Sequence, residues 1–242
     1  MQYSVPPSNA EVAYFSLDSP EDEWFQIKDY YPPGVTNIIA SSFSCFISHI
    51  DENLVLKYPN IESLEINVQA RIHSESQLYT ILGNHDRVIK FKGVEEAVIL
   101  LKYATNGSVA HYLRNTETSL TTAQRLTWAK QAAEGMAYIY SMGVPLFDTN
   151  ASNLLLDQRL NINIPDFQGR HVSPDGSVIL DGLSSETVKS CMPRSDPNHA
   201  NEKMDIFALG SAIHFIMTGH EPFPDLDPNN DNYEAKTSAR YE

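Results

Sequence analysis

The stretch from Asp148 to Phe167 constrains this chain more than any other. It opens Asp148-Thr149-Asn150-Ala151-Ser152-Asn153, runs through the apolar Leu154-Leu155-Leu156, turns at Asp157 and reaches Asp166-Phe167. The apolar run is long enough for one short strand, so a hairpin would bring Asn153 and Asp166 to the same mouth. Three groups able to take a proton or hold a metal then stand at fixed offsets. A carboxylate base, an amide and a second carboxylate gathered in this way form a set that can hold Mg²⁺ and a nucleotide triphosphate.

A chain of 242 residues makes one large domain or two small lobes. Its 42% hydrophobic and 20% charged residues suffice to bury a core. The formal net charge of −14 argues against non-specific binding to nucleic acid or to an anionic membrane surface, so neither partner is expected. It leaves ATP open, which needs only local positive charge and Mg²⁺. Cys45 and Cys191 lie far apart without metal-ligand spacing and read as two reduced thiols. Met1 to Ser16 has neither the basic start nor the apolar segment of a signal peptide. The apolar run from Ile206 to Met217 is too short to cross a bilayer. The expectation is a soluble monomer of the cytoplasm or nucleus.

Along the chain, residues 1–33 are polar and proline-bearing and read as a loosely attached leader. Thr36 to Phe46 and Leu54 to Lys57 are strand-like runs separated by the turn signal Asp51-Glu52-Asn53. Glu62 to Leu82 has helical period, with Ile72, Leu78, Ile81 and Leu82 on compatible faces, and Val88 to Phe91 and Ala97 to Tyr103 read as two more strands. After Asn106-Gly107 the pattern turns helical. Ser108 to Arg114 makes a short helix. Thr121 to Met142 makes a longer one, with Leu126, Ala129, Ala133, Met136, Ala137 and Tyr140 as its apolar face and Gly143 closing it. His171 to Ala200 is a polar segment whose Ser173, Ser177, Ser184, Ser185 and Thr187 read as loop residues or as phosphorylation sites. Lys203 to Thr218 is a buried-looking helix ended by Gly219, and a polar tail follows from Asp227.

With Asp148 as anchor, order and spacing resemble the catalytic and metal-binding loops of eukaryotic protein kinases, D-x-x-x-x-N and D-F-G. From Gly34 to Asp225 the chain is similar to that family, particularly to its filamentous-fungal kinase-like members. Val55-Leu56-Lys57 resembles the strand bearing the ATP-anchoring lysine, and Glu75 sits where the family's helix glutamate pairs with it. Leu101-Lys102-Tyr103-Ala104 is similar to the gatekeeper and hinge, Asp205 to the buried aspartate opening the central C-lobe helix, and Met217 to Phe223 to that helix's exit.

The resemblance implies an α+β, bilobal fold. It places a β-rich N-lobe with one main helix over 34–101, a hinge over 102–107, a mostly helical C-lobe over 108–226 and a polar tail over 227–242. No counterpart of the family's last helices follows Asp225, so the C-lobe reads as truncated, with apolar surface left open. ATP and Mg²⁺ are the implied cofactors, and a protein substrate or binding partner is implied. Lys57 would contact the α- and β-phosphates with Glu75 holding its ammonium. Asn153 and Asp166 would bind the metal, and Asp148 would accept the substrate hydroxyl's proton. Leu101 would be the gatekeeper, backbone groups of Lys102 and Ala104 would meet adenine, and Ala40 and Ser42 would lie in the phosphate-covering loop. Asp205 would cap its helix and hold the catalytic-loop backbone.

Departures from the family pattern are as specific. Ala40 to Phe46 has no glycine to let backbone N–H groups close on phosphates, although serine hydroxyls offer partial compensation. Leu146-Phe147 replaces the usual His-Arg, so a phosphorylated loop loses its standard partner. Gln168 stands where a glycine with unusual backbone angles is common, Met192-Pro193-Arg194 replaces Ala-Pro-Glu, and Asn150 replaces a lysine. Three functions stay open: a protein kinase, a pseudokinase scaffold with or without nucleotide, and a small-molecule phosphotransferase of the same fold.

Overall fold

The computed structural model describes residues 3–4, 31–42, 45–59, 66–115, 120–182, 192, 202–226, 236–237 and 239–240. Glu62 to Glu65, Phe43-Ser44, Ser184, Ser185, Thr187, Cys191 and Pro193-Arg194 therefore lie outside the described residues, as does most of the leader and tail. The chain divides into two compact units, one of residues 1–76 and 90–103, the other of residues 77–89 and 104–242. The division falls after Tyr103, and it assigns Gln77 to Ile89 to the second unit.

The first unit is built on a six-stranded antiparallel sheet in the order β1-β2-β3-β4-β6-β5. Its strands are β1 (Tyr3–Ser4), β2 (Asn37–Ser41), β3 (Cys45–His49), β4 (Leu54–Pro59), β5 (Phe91–Glu95) and β6 (Val98–Lys102). The run expected from Thr36 to Phe46 is thus divided between β2 and the start of β3. Part of the leader is not loose, because Tyr3 pairs with Ile38 and Ser4 with Asn37 at the sheet's edge. Asp51 makes the β3–β4 turn, its Oδ1 accepting from Asn53 N at 2.7 Å and Leu54 N at 2.9 Å.

The strand expected over Val88 to Phe91 lies instead at Phe91–Glu95, and Val88 makes only an isolated bridge to Ile164. Gly93 and the charged neighbours of Val94 conceal the strand period. The helix α1 (Ile66–Leu82) buries Ile72, Glu75, Ser76, Leu78, Tyr79 and Leu82, a stripe at three- and four-residue spacing. Ile81 is only half-buried.

The second unit contains α2 (Val109–Asn115), α3 (Thr122–Ser141) and α4 (Glu202–Thr218) and two hairpins, β7 (Leu155–Leu156) with β8 (Ile162–Asn163), and β9 (Arg170–Val172) with β10 (Val178–Asp181). Thr121 caps α3, its hydroxyl accepting from Gln124 N at 3.2 Å. At the other end Gly143 (φ 71°) donates to Tyr140 O at 2.9 Å and Val144 to Ile139 O at 3.1 Å, a Schellman closure.

The expected apolar face of α3 holds at Met136 but is otherwise out of phase, with Ala129 and Tyr140 half-buried. Leu126, Ala133 and Ala137 are exposed, while Trp128, Gln131, Ala132, Gly135, Met136 and Ile139 are buried. Polar contacts set the true face. Trp128 Nε1 donates to Leu160 O at 2.7 Å, and Gln131 joins Asn161 Oδ1 (2.9 Å) to Ile162 N (2.9 Å). At Gly135 an added Cβ would lie 2.8 Å from Ile164 Cδ1, so the missing side chain lets the hairpin close. On α4, Met204, Asp205, Ala208, Ser211, Ala212, Phe215 and Ile216 face inward, and Gly219 (φ 86°) ends the helix. The tail is not uniformly exposed either: Thr237 is buried and Arg240 pairs with Asp225 at 2.7 Å. Among the described residues, no helix is long and apolar enough to cross a membrane.

The β9–β10 turn is closed by Asp175, whose carboxylate accepts from the Ser173 and Ser177 hydroxyls and from Ser177 N at 3.0 Å. These bonds, led by the Ser173 hydroxyl, lower its pKa from 3.8 to about 2. The folded-state pKa is depressed, so the turn's contribution is complete above the ordinary carboxylate range and is lost as pH falls toward 2. An NMR titration should find the Asp175 carboxyl carbon still ionised at pH 3, and in Ser173→Ala it should titrate closer to the ordinary value.

Candidate active site

Strand β4 lies between β3 and β6, so its backbone is paired on both edges and its side chains stand on the two faces of the sheet. Lys57, paired in register with Ile47 and Ile99, is 5% exposed. Its Nζ stands 2.7 Å from Glu75 Oε2 and 2.9 Å from Oε1. Glu75 lies on the buried stripe of α1 at 1% exposure, so each charge supplies what the other's burial demands. A buried pair adds little net stability against an apolar pair of the same shape.

In the second unit the expected hairpin forms, Leu155 pairing with Asn163 and Leu156 with Ile162. Asn153 enters and Asp166 leaves at its open end. The hairpin is clamped on several sides. Val109 N donates to Leu154 O (2.8 Å), Leu156 N to Gly107 O (2.8 Å), Ile164 N to Arg87 O (2.8 Å) and Ile89 N to Ile164 O (3.0 Å).

Asp148 is gripped from two directions. Asn150 Nδ2 donates to its Oδ1 at 3.0 Å, and Asn153 Nδ2 donates to its Oδ2 at 2.9 Å and to its backbone O at 3.0 Å. Asn150 Oδ1 in turn caps the single 3₁₀ turn over Ala151–Asn153, accepting from Ser152 N and Asn153 N. These bonds fix the Asn153 amide with its nitrogen toward Asp148 and its oxygen away from it. The replacement of lysine by Asn150, which the sequence alone left without a role, is thus a hydrogen-bond donor to Asp148.

The backbone before Asp148 is held by Asp205, which is fully buried. Its carboxylate accepts from Leu146 N (2.7 Å), Phe147 N (2.7 Å) and the Tyr140 hydroxyl (2.6 Å). Phe147 needs this, since its φ of 67° is rare for a bulky side chain and costs about 1–3 kcal/mol. Asp205→Asn turns an amide nitrogen toward one of these donors and should cost about 1.5–3 kcal/mol, read by chemical denaturation.

Gln168 carries no strain, for it is absent from the residues with positive φ. The glycine that the backbone needs is the next one. A Cβ on Gly169 would stand 1.9 Å from Pro145 O, and one on Gly182 would stand 2.4 Å from Gln168 O. Phe167 is fully buried and meets the Tyr79 ring edge-on at 4.9 Å, while the Tyr79 hydroxyl donates to Pro165 O.

The remaining expected residues are placed less uniformly. Leu101 is buried in β6 between Val55 and Phe91. Lys102 N already donates to Lys90 O at 2.9 Å, so only its carbonyl side suits a purine. Ala104 is buried, and its carbonyl accepts from Gly107 N at 3.0 Å. Ala40 and Ser42 are exposed. Ser42 Oγ donates to Cys45 O (3.2 Å) and accepts from Cys45 N (3.1 Å), so its hydroxyl is already engaged within the loop.

The donor set suits Mg²⁺. Asn153 Oδ1 and the Asp166 carboxylate are hard oxygen ligands, and Mg²⁺ characteristically takes one or two such groups alongside phosphate oxygens and water.

Comparison with known proteins agrees with this geometry. Human serine/threonine-protein kinase A-Raf is 26% identical over 136 residues, 52% of this chain and 22% of its own length. An Aurora kinase from Eremothecium gossypii is 24% identical over 196 residues, 76% of this chain and 48% of that protein. The carbon catabolite-derepressing protein kinase of Saccharomyces cerevisiae is 25% identical over 179 residues, covering 72% and 28%. The chain spans less than half the length of each of these relatives. The family described as protein tyrosine and serine/threonine kinase matches residues 48–242, so with its β-sheet unit, its helical unit and the Asp148 loop this chain belongs to the protein kinase family.

Proposed function

We propose that the chain is an ATP- and Mg²⁺-dependent protein kinase that transfers the γ-phosphate of ATP to a protein hydroxyl. The observation that carries this reading is the held carboxylate, Asp148 fixed by Asn150 and Asn153 on a backbone tied to Asp205. Phosphoryl transfer depends mainly on positioning and charge neutralisation, and a carboxylate fixed at both oxygens loses little freedom on the way to the transition state.

In this reading Asp148 orients the acceptor hydroxyl and takes its proton, while the acceptor oxygen attacks the γ-phosphorus and ADP leaves. Lys57 neutralises the α- and β-phosphates and Glu75 keeps its ammonium aimed. Asn153 and Asp166 hold Mg²⁺, which when bound neutralises the phosphate oxygens. The Ala104 backbone N–H and the Lys102 carbonyl meet adenine, with Leu101 behind it. The partner is a protein substrate met by a monomer in the cytoplasm or nucleus, and nucleic acid and membranes play no part. Purified protein incubated with labelled ATP, Mg²⁺ and generic protein acceptors should transfer label. Absence of transfer above an Asp148→Asn control would sink the reading.

One observation favours a second reading, a pseudokinase that serves as a scaffold. Ser42 commits its N–H and hydroxyl to Cys45 in a turn whose residues include no glycine, which weakens the grip on phosphates. A ligand that binds only the folded state raises its melting temperature. A rise with ATP and Mg²⁺ that disappears in Lys57→Ala, without label transfer, would favour the scaffold.

A further inference from the structure

Phe147 stands where this family carries a basic residue, and a cation nevertheless lies against it. The Arg170 guanidinium carbon sits 5.4 Å from the centre of the Phe147 ring. Arg170 Nε is 3.0 Å from Asp181 Oδ2, with the two side chains 31% and 36% exposed. The guanidinium thus joins the catalytic-loop ring on one side to strand β10 on the other. Backbone bonds line up the same pieces. Arg170 N donates to Pro145 O (3.0 Å), Val172 N to Gly143 O (2.8 Å) and Gly182 N to Gly169 O (2.7 Å). Gly169 permits this approach, since any side chain there would strike Pro145.

Phe147 holds a left-handed backbone immediately before Asp148. Its N–H is fixed by Asp205. Its ring is covered by Arg170, a planar cation that stacks on an aromatic face while its edge meets a carboxylate. We propose that Arg170 is a positioning residue for Asp148, and that Asp181 supplies from within the chain the anion that a phosphoryl group on this segment would otherwise provide. A phosphoryl group brings up to two charges and three acceptor oxygens but comes and goes. Asp181 brings one charge and is permanent. The site is therefore ordered without a modification step. This inference rests on the kinase reading for its catalytic consequence, though not for the clasp itself.

The test compares wild type with Arg170→Met, Arg170→Lys and Asp181→Asn, with Arg159→Met as an exposed control. Two readouts are used: label transfer from ATP, and hydrogen exchange at the amides of residues 147–149. Arg170→Met and Asp181→Asn should lower kcat about tenfold with KM for ATP changed less than about twofold, since misplaced groups lose turnover before they lose binding. Exchange at 147–149 should rise about tenfold as the clasp opens locally. Arg170→Lys, with charge but no plane, should fall between, and it guards against a variant that merely fails to fold. Phosphatase treatment of wild type should leave kcat unchanged.

A tenfold loss on phosphatase treatment would overturn the proposal. So would unchanged exchange and kcat in Arg170→Met, and that result leaves the kinase reading intact. If wild type transfers nothing while exchange at 147–149 still rises in Arg170→Met, the kinase reading fails and the clasp stands.

Discussion

Asp148→Asn should lower kcat for phosphoryl transfer by about 10²–10⁴-fold, the usual contribution of a positioned general base. The protein should stay folded. Asn150 and Asn153 donate to the two carboxylate oxygens, so an asparagine at 148 keeps one acceptor and turns an amide nitrogen toward the other donor. The loss of about one hydrogen bond costs about 1 kcal/mol. Label transfer at saturating ATP measures the first quantity and thermal melting the second. Retained turnover in a folded variant would remove Asp148 from the chemistry. A collapse of the melting transition would instead make it a structural carboxylate.

Lys57→Ala should have the largest effect on stability. It strands the Glu75 carboxylate at 1% exposure with its partner removed, and breaking a buried pair costs about 3–5 kcal/mol. A domain of 60–100 residues shifts by about 4–8 °C per kcal/mol, so the first unit should melt more than about 10 °C lower. The double variant Lys57→Met with Glu75→Leu should recover most of that loss, because apolar replacements of similar size need no solvating partner. It should not recover ATP binding. Calorimetry of the three proteins decides the matter. If Lys57→Ala melts like wild type, the pair is not buried as described.

Legibility in the sequence followed how local the cause was. Asp51 announced its turn because the side chain bonds two residues on, and α4 announced itself through an uninterrupted apolar period. The β7–β8 hairpin could be inferred from one apolar run and a turn. The face of α3 could not. Its alanines fit either phase, and what chose between them was Trp128 and Gln131 finding acceptors and donors at Leu160 to Ile162, thirty residues away in the chain. The pairing of Lys57 with Glu75 was legible by type and spacing, as was the hairpin between Asn153 and Asp166. The role of Asn150 and the clasp of Arg170 and Asp181 on Phe147 were not, because they depend on which side chains meet across loops. The need for glycine likewise fell at 169 and not at 168, since it was set by the approach of Pro145.

Trp128 has one further consequence. Its indole is wholly enclosed, bonded through nitrogen to Leu160 and touched edge-on by Tyr112. It is one of only two tryptophans in the chain. An indole sealed from water emits at short wavelength and shifts to the red once solvent reaches it. With Trp24, which belongs to the first unit, replaced by phenylalanine, Trp128 is the sole indole, and fluorescence then follows the melting of the helical unit separately from that of the β-sheet unit.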